Sequence, residues 1–119
     1  MAKRRLVECG FYIPIHRDKH LSDGQPHLTE AWEWLDDSLY EFGGATRSAA
    51  LYFGFYEDPD TKERVPDQSC RYEVALPAKQ VSKLRSLLRD ACRVFEQKCI
   101  YLSVAGQVEF VEGAGNERD

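Results

Sequence analysis

The sequence predicts an α+β sandwich of the ferredoxin-like β-α-β-β-α-β type, a four-stranded antiparallel sheet with two helices on one face. Three observations carry that prediction. Two amphipathic helical stretches alternate with segments of period-two hydrophobicity, in the order strand, helix, strand, strand, helix, strand. Clusters of Gly, Pro, Asp and Ser separate these segments. A chain of 119 residues is long enough for one core and too short for two. We therefore expect a single domain over 1–112, with 113–119 a flexible tail and the first and third strands central in the sheet.

The first strand lies where Val7, Cys9, Phe11, Ile13 and Ile15 alternate with Leu6, Glu8, Gly10, Tyr12 and Pro14. It runs into the polar segment His16-Arg17-Asp18-Lys19-His20, followed by turn chemistry at Leu21 to Pro26. A helix starts between Pro26 and Thr29. Its apolar stripe is Leu28, Ala31, Trp32, Leu35, Leu39 and Phe42, its outer face is acidic, and Gly43-Gly44 stops it. Trp34 falls off the stripe and is expected to lie flat over the neighbouring chain. The second strand, Ala45 to Glu57, sets Leu51, Phe53 and Phe55 against Tyr52, Gly54 and Tyr56. Residues 57–67, dense in Asp and Pro, form a hairpin loop.

In the third strand, Gln68 to Pro77, Cys70, Tyr72, Val74 and Leu76 oppose Arg71, Glu73 and Ala75. A second helix over 78–98 carries the stripe Val81, Leu84, Leu88, Ala91 and Phe95 and a basic outside. The fourth strand places Ile100, Leu102 and Val104 opposite Tyr101 and Ser103, Gly106-Gln107 breaks it, and 108–112 is a possible short fifth strand. The helix-facing core is then Val7, Phe11, Ile13, Phe53, Phe55, Tyr72, Val74, Leu76, Ile100 and Leu102, with both helix stripes.

Composition narrows the function classes. The net charge of −4 speaks against a grip on nucleic-acid backbone, and no apolar run approaches membrane-spanning length. No export signal is evident, so the chain reads as cytoplasmic, with Cys9, Cys70, Cys92 and Cys99 free thiols used for packing. There is no Gly-rich phosphate loop, no G-x-S-x-G elbow and no H-E-x-x-H, and no cofactor is expected.

Two groups of residues stand out. The uncovered sheet face gathers Tyr12, Tyr52, Tyr56, Arg71, Glu73 and Tyr101, and tyrosine suits a surface that is wet when free and dry when occupied. A second copy of the chain, giving a homodimer, or a small-molecule ligand between the rings would fit this face. RNA fits least, because the third strand offers Arg71, Glu73 and Ala75 where stacking needs aromatic rings. His16, Asp18 and His20 form H-x-D-x-H after the first strand, with His27 nearby. Such side chains can bind a metal (His16, His20, His27) or move protons (His16, Asp18, His20). The leading expectation is a small non-enzymatic binding or assembly module using the tyrosine face. The alternative is a metal- or His-dependent, hydrolase-like enzyme using the loop after strand one.

Overall fold

The structure, a computed structural model, describes residues 5–113, so the tail beyond Gly113 lies outside the described residues. The elements are β1 (Val7–Pro14), α1 (Thr29–Tyr40), β2 (Thr46–Arg47), β3 (Tyr52–Glu57), β4 (Arg64–Leu76), α2 (Val81–Val94), β5 (Cys99–Val104) and β6 (Gln107–Glu112), with a 3-10 turn at Ala78–Gln80 leading into α2. One antiparallel sheet holds all the strands in the order β2-β4-β1-β5-β6, with β3 also paired to β4. It has six strands rather than the four or five expected, and β1 and β4 are inside it as anticipated.

Alternation in β1 and the C-terminal half of β4 does what period two requires. Cys9, Phe11 and Ile13 are buried on one face together with Tyr72, Val74 and Leu76. Phe11 pairs with Tyr72 across the strands, and their rings stack 5.2 Å apart at an interplanar angle of 6°. Leu35 and Leu39 of α1, and Val81, Leu84, Leu88 and Ala91 of α2, close the core over Ile100, Leu102 and Val111. Each such fully buried large apolar side chain contributes roughly 1.5–3 kcal/mol. Trp34, although off the helix stripe, is half-buried against this core.

Four details depart from the sequence reading. The second strand is split at 48–51 into β2 and β3, which lie along one edge of β4 at different heights. The third strand begins at Arg64, so Val65, Pro66 and Asp67 belong to β4 and the hairpin loop is only 58–63. Pro66 is tolerated there because β1 ends opposite Ser69, leaving this part of β4 paired only to β3. The second helix stops at Val94, not Lys98. Glu96 takes a left-handed φ of 50° and the Gln97 N–H donates to Cys92 O at 2.8 Å, a Schellman-type stop without glycine. Finally, Phe53 and Phe55 are not in the core. They are 77% and 71% exposed, because the hairpin end of the sheet extends past both helices.

All four cysteines are free, with Cys9 and Cys92 buried and Cys70 and Cys99 half-buried. Burial pushes every thiol up, Cys92 to about 12, as expected of packing groups rather than nucleophiles. No helix among the described residues is long and apolar enough to cross a membrane.

Candidate functional site: a tyrosine-floored cleft

On the sheet face turned away from the helices, aromatic rings run in a row across the strands. Tyr12 of β1 meets Tyr52 of β3 at 5.5 Å and Tyr101 of β5 at 5.1 Å, both edge to face, and Tyr101 meets Phe110 of β6 at 5.9 Å. Such pairs are the favoured geometry for aromatic quadrupoles and hold the floor rigid.

The β3–β4 hairpin turns this floor into a cleft by bending back over it. Lys98, just before β5, fastens its tip, reaching Asp58 at 3.2 Å and Asp60 at 2.7 Å, whereas His20 Nε2 lies 3.2 Å from Glu63 without making a hydrogen bond. Asp58 is fully enclosed, and its Oδ1 also accepts the N–H groups of Asp60 and Thr61, bonds that lower its carboxyl to about 2. Between hairpin and floor is a space of about 460 Å³, walled by Tyr52, Gly54 and Tyr56 of β3 and by Asp67 and Ser69 of β4. That is within the size range of small-molecule sites.

Asp67 and Tyr56 are among the polar residues lining this cleft. Burial raises the Asp67 carboxyl, and among the described residues no hydrogen-bond or ion-pair partner meets it. Gly54 stands opposite Asp67 across the strand pair, so no side chain covers that carboxylate from β3. Burial, with the carboxylates of Asp18 and Asp67, drives the Tyr56 phenol well above its ordinary value. Tyr56 therefore remains protonated and acts as a neutral hydrogen-bonding group. Lys98, the cation on the rim, already faces Asp58 and Asp60.

Of the residues singled out from sequence, Tyr12, Tyr52, Tyr56 and Tyr101 line this cleft together. Arg71 is paired directly with Tyr12, and Glu73 sits one row further along the sheet, opposite Gly10. The histidine group does not assemble. His16 is exposed, and His20 faces Glu63. His27 donates to Pro14 O at 2.7 Å and packs edge-on against Trp32 and Phe95, where burial holds it below the ordinary histidine value. Asp18 is buried as a turn former, its Oδ1 accepting the His20 N–H at 2.7 Å. No group of three His, Cys, Asp or Glu among the described residues is arranged to hold a metal. Asp67 was missed because Pro66-Asp67 reads as turn chemistry, and only the strand register shows it facing the cleft.

No protein-family model and no curated protein matches the chain. Its fold is similar to that of a phage SAM lyase solved in complex with S-methyl-5′-thioadenosine, with a TM-score of 0.69 and 11% identity over 95% of both chains. A phage SAM lyase in its apo state aligns with a TM-score of 0.63 and 12% identity, over 96% of this chain and 98% of that one. This likeness corrects the expectation of a non-enzymatic binding or assembly module, since the structures sharing the fold over nearly the whole chain are those of an enzyme. His16, Asp18 and His20, the residues of the enzyme alternative, belong to no metal-holding group among the described residues.

Proposed function

We propose that this chain is a small lyase that cleaves S-adenosylmethionine in the tyrosine-floored cleft and releases S-methyl-5′-thioadenosine. The observation that carries the reading is the cleft itself. Aromatic rings and an unpaired, desolvated carboxylate are what a sulfonium cation would seek, on a fold shared with an enzyme of that substrate. The tyrosines supply π-faces for the nucleoside and the sulfonium. Asp67 supplies the counter-charge, and Tyr56 a neutral donor deep in the cleft.

As the bond from sulfur to the amino-acid chain breaks, its electron pair goes to sulfur, which leaves as a neutral thioether. Lyase chemistry brings in no water. The carbon left behind is satisfied within the same molecule by its own carboxylate, which forms a C–O bond as the C–S bond breaks and closes a neutral lactone ring. The aromatic lining of the cleft suits this course, because charge is lost as sulfur departs. The ferredoxin-like plan belongs to the same reading. Counting β2 and β3 as one edge, the order β2/β3-β4-β1-β5 supports it, with β6 appended.

The test is to incubate purified protein with S-adenosylmethionine and separate the products by chromatography. Accumulation of S-methyl-5′-thioadenosine is expected, slowed roughly 10- to 100-fold in Asp67→Asn. Unchanged substrate at high enzyme concentration would refute the proposal.

A further inference from the structure

We infer that Arg71 and Glu73 form a reader for the zwitterionic amino-acid end of the substrate, and so distinguish substrate from product. This rests on the reading of the cleft given above. Gly10 pairs with Glu73 on one side and Ser103 on the other, in the row next to Tyr12. A Cβ at position 10 would collide with the Arg71 guanidinium, so the bare backbone of β1 is its seat. From that seat the guanidinium carbon lies 5.0 Å over the Tyr12 ring, and Nε donates to Glu73 Oε2 at 3.3 Å.

These partners leave most of the chemistry of the pair available. A guanidinium carries five N–H donors, and its forked pairs match a carboxylate. Glu73 meets Arg71 through one oxygen and is 49% exposed, so the other can accept from an ammonium. An arginine beside a glutamate is thus the complement of an α-carboxylate beside an α-ammonium. Both side chains reach solvent, the Arg71 side chain being 22% exposed.

S-methyl-5′-thioadenosine lacks that end, which makes the test selective. For wild type, Arg71→Met and Gly10→Ala, calorimetric titration would measure binding of S-methyl-5′-thioadenosine, and initial rates of turnover would give the KM for S-adenosylmethionine. Losing a charged hydrogen-bonding partner should raise the KM for S-adenosylmethionine about tenfold or more in Arg71→Met. Binding of S-methyl-5′-thioadenosine should change by less than about twofold, which also shows that the cleft remains folded. Gly10→Ala, which unseats the guanidinium, should shift affinity in the same selective direction. Equal losses for both compounds would show that Arg71 only braces Tyr12, and no loss for either would leave the pair without a role; each result overturns the inference. A wild-type protein that neither turns over S-adenosylmethionine nor binds S-methyl-5′-thioadenosine overturns the cleft reading and this inference together.

Discussion

The two halves of β4 obey the same alternation and meet different fates. From Ser69 to Leu76 the strand lies between β1 and its outer neighbours beneath the helices, and Tyr72, Val74 and Leu76 are almost fully buried. From Arg64 to Asp67 it is paired only to β3, and the corresponding phase of β3 holds Phe53 and Phe55 in solvent. Phe11 and Phe53 were assigned to the same core by the same period, yet one is 0% and the other 77% exposed. Alternation tells which residues share a face. It does not tell whether anything covers that face. Here the uncovered half is the half that bends to make the cleft, fixed by polar fasteners instead of a second layer.

That contrast can be tested by substitution. The largest effect is expected at Phe11→Ala, which should cost about 3–5 kcal/mol of unfolding free energy in denaturant titration. A cost below that of a surface substitution would show that the helices do not seal this half. Next comes Asp67→Asn in the cleft. Loss of one charged interaction should lower kcat/KM by roughly 10- to 100-fold, with the unfolding midpoint nearly unchanged. A matching fall in stability would instead make Asp67 a structural residue.

Lys98→Met addresses the hairpin. Hydrogen exchange should speed up over 52–57 and stay unchanged over 7–13, because the fastener holds only the bent half. Its pH dependence follows from Asp58. Its carboxyl is lowered from 3.8 to about 2, so its contribution is intact above the higher value and is lost as pH falls through the lower one. Exchange over 52–57 at pH 4 should therefore remain protected, with opening only towards pH 2. The smallest effect is expected at Phe53→Ala, within about 0.5 kcal/mol of wild type. A cost like that of Phe11→Ala would mean the ring is covered in solution.

The histidines illustrate how far local spacing carries. His16, Asp18 and His20 look like a ligand set because H-x-D-x-H places like groups close in the chain. In an irregular turn, however, their directions are set by separate partners: a backbone amide for Asp18, Glu63 for His20, and Pro14 O for His27. Each of those partners lies on a different element or comes from the turn itself.

Taken alone, the sequence determined the two amphipathic helices, the sidedness of β1 and of the C-terminal half of β4, and the gathering of Tyr12, Tyr52, Tyr56 and Tyr101 on one face. These follow from local periodicity, which any strand or helix must satisfy to bury one side. Only the tertiary structure decided that the hairpin overruns the helices, exposing Phe53 and Phe55, and curls back so that Lys98 meets Asp58 and Asp67 faces the rings. Those outcomes depend on where β1 stops relative to β4 and on contacts between residues about forty positions apart, as with Lys98 and Asp58. Periodicity within a single element carries no information about either.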